Sequence, residues 1–103
     1  MDCGLAINPL GIEGQFESGV IWALSSVLNG MTFGGARAIP SNFDEYHVVR
    51  MREAPVIETH IVDSSVRPLG VGEQPVPAVW PAVANAVFAA TGRRVRDLPL
   101  ALR

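Results

Sequence analysis

Two polar-and-breaker pairs bracket residues 9 to 28 and constrain that stretch more than anything else in the chain. Asn8-Pro9 opens it. The Asn side chain is able to accept from the first free amides of a helix, and a proline at the first helical position gives up an N–H that has no partner there anyway. Inside the stretch Ile12, Phe16, Val20, Ala23 or Leu24, and Val27 recur at helical steps. Glu13 and Glu17 fall in the early turns, where a carboxylate complements the helix dipole. Asn29-Gly30 is a stop signal. The spacing predicts a helix from about Pro9 to Leu28. Beyond Glu73-Gln74-Pro75 a second stripe, Val79, Val83, Val87 and Phe88, predicts another helix that ends near Ala90, before Thr91-Gly92. Pro81 removes a backbone hydrogen bond within it, so that helix either starts near the proline or kinks there.

The segment between the helices has a different period. Met31-Thr32-Phe33 and Ala36-Arg37-Ala38-Ile39 flank Gly34-Gly35, a tight hairpin signal, and Pro40-Ser41-Asn42 closes it. Residues 47–51 and 56–62 are β-branched and strand-like. In the second run Ile57, Thr59 and Ile61 share one face, with Glu58 and His60 on the other. Residues 63–72 carry loop punctuation, and the tail after Gly92 has no periodicity. The expected class is α+β: two helices, each with one apolar stripe, packed on one face of a small, mainly antiparallel sheet.

Length and composition limit what this fold does by itself. At 103 residues, residues 1–103 make one domain, which buries only roughly 65% of its unfolded surface. Yet 49% of residues are hydrophobic and only 17% are charged, against ~25% usually charged. A short, charge-poor chain has faces meant to be hidden, by a homo-oligomer, a partner or the remainder of a larger protein. No apolar run approaches the ~20 residues of a membrane span. With Cys3 the sole cysteine and only His47 and His60 beside it, neither a disulfide framework nor a zinc ligand set is expected. Met1-Asp2-Cys3-Gly4 lacks the basic segment and apolar core of a signal peptide. The eight basic residues are all Arg, four of them (Arg93, Arg94, Arg96, Arg103) near the end. Net charge is −2 and no aromatic is interleaved with them, so no nucleic-acid groove is expected.

Few residues are candidates for chemistry. In Gly70-Val71-Gly72-Glu73 two glycines let the backbone pass close to a ligand, and the carboxylate that follows stands at a helix entrance, a place for a general base. Ordinary capping explains the same glutamate, and Gly-x-Gly is common in loops. Gln15 shares a helix face with Gly19, Trp22 and Ser26, where it could bond the edge of a flat polar ligand; a solvent-facing glutamine is the plainer alternative. His47 and His60 suit a sheet edge or solvent, and Cys3 has no basic neighbour to make it reactive.

Taken together these pieces form a pattern. Asp2-Cys3-Gly4 followed by Ile7-Asn8-Pro9, Gln15 with Gly19, Ser41-Asn42-Phe43-Asp44 with Tyr46, Arg50-Met51, Glu53-Ala54-Pro55, GVGE at Gly70 to Glu73 and PAVANAVFAATGRRVRDLPL at Pro81 to Leu100 succeed one another along nearly the whole chain. In that order and spacing they resemble the C-terminal segment of the molybdopterin-binding large subunit of the xanthine oxidase and aldehyde oxidoreductase family, the isoquinoline 1-oxidoreductase beta subunit branch in particular. Ser18 departs from the family's helix, which commonly carries a second glycine there, and Leu5 from a position often polar.

The resemblance implies a molybdenum hydroxylase that puts water-derived oxygen on a carbon of an N-heteroaromatic ring or an aldehyde. It implies that Glu73 lies beside the metal as general base and that Gln15, with Gly72, binds a molybdopterin-type molybdenum cofactor, while no side chain of this chain ligates a metal. Its partners would be the remainder of the molybdenum subunit and an iron–sulfur subunit that takes the electrons. The family subunit is several times longer, and Met1 aligns within one of its strands, so the expectation is a partial domain that by itself holds no cofactor, is inactive and self-associates.

Overall fold

The computed structural model describes residues 1–100, in the order α1 (Pro9–Leu28), β1 (Thr32–Gly34), β2 (Arg37–Ile39), α2 (Val76–Thr91). α1 has the expected bounds and the expected start: Asn8 Oδ1 accepts the Gly11 N–H at 3.1 Å, with Pro9 entering the helix behind it. Its first turn holds no acidic residue, so Glu13 and Glu17 lie further along than the dipole effect reaches best. Its last turn closes differently from a glycine stop. Asn29 is extended and its N–H reaches Ser25 O at 2.9 Å, while Gly30 serves close packing, since a Cβ there would lie 2.8 Å from the Pro99 ring. α2 begins at Val76 and carries Pro81 in its interior; it ends on left-handed Gly92 (φ 72°), whose N–H donates to Phe88 O.

The two helices pack on each other. Ala23 and Val27 of α1 are buried with Val79 of α2 and Leu100, and Val20, Leu24, Leu28, Val76, Val83, Val87 and Val95 close around them. Leu100 belongs to the tail without periodicity, and its N–H donates to Val27 O at 2.8 Å. A single residue has no period, which is why the pattern along the sequence misses it.

The α+β class is as expected, but the helices do not lie on a sheet face. Among the described residues the sheet is the β1–β2 hairpin alone, antiparallel, with Thr32 opposite Ile39, Phe33 opposite Ala38 and Gly34 opposite Arg37. The turn is Gly35-Ala36, one residue later than Gly34-Gly35, with Gly35 at φ 63°. Strands of three residues, all exposed except Ala38, offer no apolar face to a helix. Residues 47–51 form no strand because their backbone is engaged elsewhere. The Val49 N–H donates to Ser25 Oγ at 3.0 Å, and Arg50 opens a turn in which the Glu53 and Ala54 N–H groups both reach its carbonyl. Residues 56–62 keep an extended course and the expected alternation, with Ile57, Thr59 and Ile61 half-buried and Glu58 and His60 exposed. They lack a ladder: among the described residues their backbone bonds only with Met1, through Val62 N–H to Met1 O and the Met1 amino group to His60 O.

The result is an open body. The chain exposes 7653 Å², where a compact monomer of its mass would expose about 5,600 Å². Its radius of gyration is 16.2 Å against about 13 Å for a compact domain of this length. Leu10, Trp22, Phe33, Phe43, Met51 and Val56 are between 63% and 95% exposed. No helix among the described residues is long and apolar enough to cross a membrane.

Candidate functional site

The segment leading into the Gly70–Glu73 loop and the exit of that loop are each fixed by a close contact at a glycine. On one side Gly4 adopts φ 70° and lies against the backbone of Val66 and Arg67, where a Cβ would stand 2.2 Å from Arg67 O. Asp2 Oδ1 accepts the Gly4 N–H at 3.0 Å, the Leu5 N–H donates to Val66 O and the Leu69 N–H to Cys3 O. On the other side Gly19 of α1 faces the loop's exit. A Cβ on Gly19 would fall 2.6 Å from Pro75 Cγ and 2.9 Å from Gly72 O. No larger residue fits either place without moving backbone. Inside the loop Gln74 Nε2 donates to Gly70 O at 2.7 Å, and Glu73 O accepts the Val76 N–H as α2 begins.

This packing brings the expected site residues together. Gln15 is one helical turn before Gly19 on α1, and its Oε1 lies 3.5 Å from where a Cβ on Gly72 would be. Nothing else stands within 4 Å of that position, and nothing at all near the corresponding one on Gly70, so both peptide units are open to approach. Glu73 follows directly and is exposed. Beside Gln15 lies an open concavity of about 250 Å³ with apolar walls that include Leu5, Ile12, Leu69 and Val71. The arrangement offers one amide with both a donor and an acceptor on the wall of an apolar hollow, and, next to that amide along the loop, two unobstructed glycine peptides followed by one carboxylate. That set suits a flat ligand with a polar edge and a reaction that needs a base.

The other candidates lie elsewhere. His47 Nε2 pairs with Glu53 at 3.0 Å in the 50–54 turn, and His60 is solvent-facing with Glu58 4.0 Å away. Cys3 is buried beneath the Gly4 contact. Among the described residues no three His, Cys, Asp or Glu side chains gather as a metal ligand set. Pro75 also contributes, although it is not among the residues expected at the site. It is buried and is the residue against which Gly19 seats the loop; a proline just before a helix after Gly-x-Gly-Glu was a signal for it.

No family model matches the chain. Individual proteins do. It is 32% identical over 97% of its length to a membrane-bound aldehyde dehydrogenase [pyrroloquinoline-quinone] of Gluconacetobacter polyoxogenes, and 30% identical over 97% to isoquinoline 1-oxidoreductase subunit beta of Brevundimonas diminuta. The xanthine dehydrogenase molybdenum-binding subunit of Escherichia coli O157:H7 is 32% identical over 96%. In structure it is similar to a CO dehydrogenase of Oligotropha carboxidovorans, with TM-score 0.74 and 25% identity over 93% of this chain. The chain spans only 13–14% of the length of these proteins.

By sequence and by structure, then, the chain is a homologue of subunits of multi-subunit molybdenum oxidoreductases. More narrowly, it corresponds to one segment of the molybdenum-binding subunit of the xanthine oxidase and aldehyde oxidoreductase family, with isoquinoline 1-oxidoreductase among its relatives.

Proposed function

We propose that this chain is the C-terminal, base-bearing segment of a molybdenum hydroxylase acting on an N-heteroaromatic or aldehyde carbon. The observation that carries this is the meeting of Gln15 with the Gly72–Glu73 loop, enforced by the seating of Gly19 on Pro75. The residues present fit a molybdopterin-type cofactor. Gln15 has both amide functions for a pterin edge, and the glycine peptides at 70 and 72 admit it without a side chain in the way. When bound, that cofactor supplies a two-electron acceptor that no side chain provides.

The chain's own residues do the rest. Gln15 orients the cofactor edge through hydrogen bonds, and Gly72 lets the backbone come close. The Glu73 carboxylate takes the proton from the water-derived oxygen as that oxygen bonds to the substrate carbon, which makes a weak nucleophile stronger. The overall change converts C–H and water into C–OH, two protons and two electrons. The electrons leave through an iron–sulfur subunit. The walls of the substrate pocket come from the remainder of the molybdenum subunit, so the segment by itself is inactive and holds no cofactor.

A second function class has its own support. The excess accessible surface and strongly exposed apolar side chains such as Phe43, Met51 and Val56 suit a non-catalytic module that self-associates. Cofactor analysis separates the two. The intact subunit should hold about one molybdenum and one pterin per chain; finding neither overturns the assignment, and a quinone in their place would put the chain with its aldehyde dehydrogenase relative.

A further inference from the structure

We propose that the edge formed by Ile57, Thr59 and Ile61 takes a β-strand supplied by the remainder of the molybdenum subunit. This rests on the reading of the chain as part of such a subunit. Residues 56–62 already have the geometry of a strand, because burial alternates along them with period two. They also already accept a neighbour. Met1 donates to His60 O and accepts from Val62 N–H, the parallel pattern in which one residue bonds to the two flanking its opposite number, here Ile61.

In an extended chain successive residues turn their N–H and C=O to alternate edges. His60 and Val62 therefore face Met1, and Ile57, Thr59 and Ile61 face the other way. Among the described residues none of those three has a backbone hydrogen bond. Nor does the Thr59 hydroxyl, although its oxygen is out of solvent. An unpaired strand edge with half-buried apolar side chains is a template for another strand.

Length and area point to the occupant. The segment makes up 8–14% of the length of its relatives, one of which superposes on 93% of it. The chain's 7653 Å² exceeds the compact-monomer value of about 5,600 Å² by an area on the scale of obligate interfaces.

Hydrogen exchange on the intact subunit, resolved to single residues by fragmentation mass spectrometry, tests this. The Ile57, Thr59 and Ile61 amides should exchange at least about 100-fold more slowly than free peptide. Thr59→Pro, which removes the N–H, should lower the melting temperature far more than Thr59→Val, which keeps the volume and the N–H. Free-rate exchange at all three amides, or equal melting of the two variants, overturns the proposal. Protection that vanishes on dilution overturns it too, and names a second copy as the occupant. The molybdenum content of the same preparation separates the failures: metal present with fast exchange defeats the edge alone, whereas slow exchange without molybdenum or pterin supports the strand pairing and defeats the functional reading.

Discussion

Gly19 and Pro75 stand so close that a Cβ on the glycine would lie 2.6 Å from the proline's Cγ. Pro75 is a rigid ring and the next obstacle, Gly72 O, is backbone, so Gly19→Ala has to push the Gly70–Glu73 loop off α1. Overpacking of this kind costs about 1–3 kcal/mol, and the gain in helix propensity returns at most ~1. Gly14, on the same helix, meets nothing within 4 Å, and Gly14→Ala should stabilise by about 0.5–1 kcal/mol. Urea denaturation of the pair should give opposite signs; the same sign for both would mean that loop and helix are not in tight contact.

Ser25 couples α1 to the irregular middle of the chain. Its buried hydroxyl accepts the Val49 N–H at 3.0 Å and donates to Ile21 O at 3.0 Å. Ser25→Ala leaves a buried N–H without an acceptor, which costs about 1–3 kcal/mol. Amide exchange at Val49 should accelerate in the variant, and an unchanged rate would show that the bond does not persist in solution.

Acid should loosen two turns by a common route. Glu53 is held below the usual 4.5, first by the Arg50 N–H on its carboxylate, with partial desolvation opposing, then by His47; the Ser41 N–H and hydroxyl lower Glu45 likewise. A carboxyl lowered in the folded state contributes stability above its unfolded pKa and loses it as pH falls through the folded value. Both turns should therefore weaken below about pH 4.5. Side-chain carboxyl shifts followed by NMR should titrate below the ordinary glutamate value, and Glu53→Gln should flatten that part of the stability profile.

Glu73 is the residue on which the proposed chemistry turns. In the intact enzyme Glu73→Gln keeps the size and removes the base, so kcat should fall by about 10²–10⁴. KM should change little, since the interaction is used in the transition state. A variant that keeps its molybdenum and turns over at the parental rate would end the assignment.

As an isolated chain the protein should self-associate at micromolar concentration, because Phe33, Phe43, Met51 and Val56 leave apolar surface uncovered. Light scattering at a constant monomer mass across that range would contradict this.

Both helices were legible because each has a repeating stripe and a chemical start or stop: Asn8 and Pro9 for α1, Gly92 for α2. The alternation of Ile57, Thr59 and Ile61 was legible as well. What the sequence does not record is whether an extended run finds a partner. Residues 56–62 have the side-chain pattern of a strand and, among the described residues, two backbone bonds to Met1. The β-branched side chain of Val49 suits a strand, but it says nothing of the serine hydroxyl on another element that takes its N–H. The Gln15–Gly72 meeting was legible only as an ordered set of motifs. Its cause, the loss of a side chain at Gly19, is a contact between positions far apart along the chain.

That separation also sets the order in which the molecule is built. α1 and α2 share the core, yet roughly fifty residues without a helix lie between them, and closing such a loop comes before any core contact returns free energy. On a ribosome α1 emerges long before Val79 and Leu100, so its apolar stripe waits uncovered while the middle of the chain is made. The distance between α1 and α2 along the chain makes folding slower than the local contacts of a small helical protein would suggest.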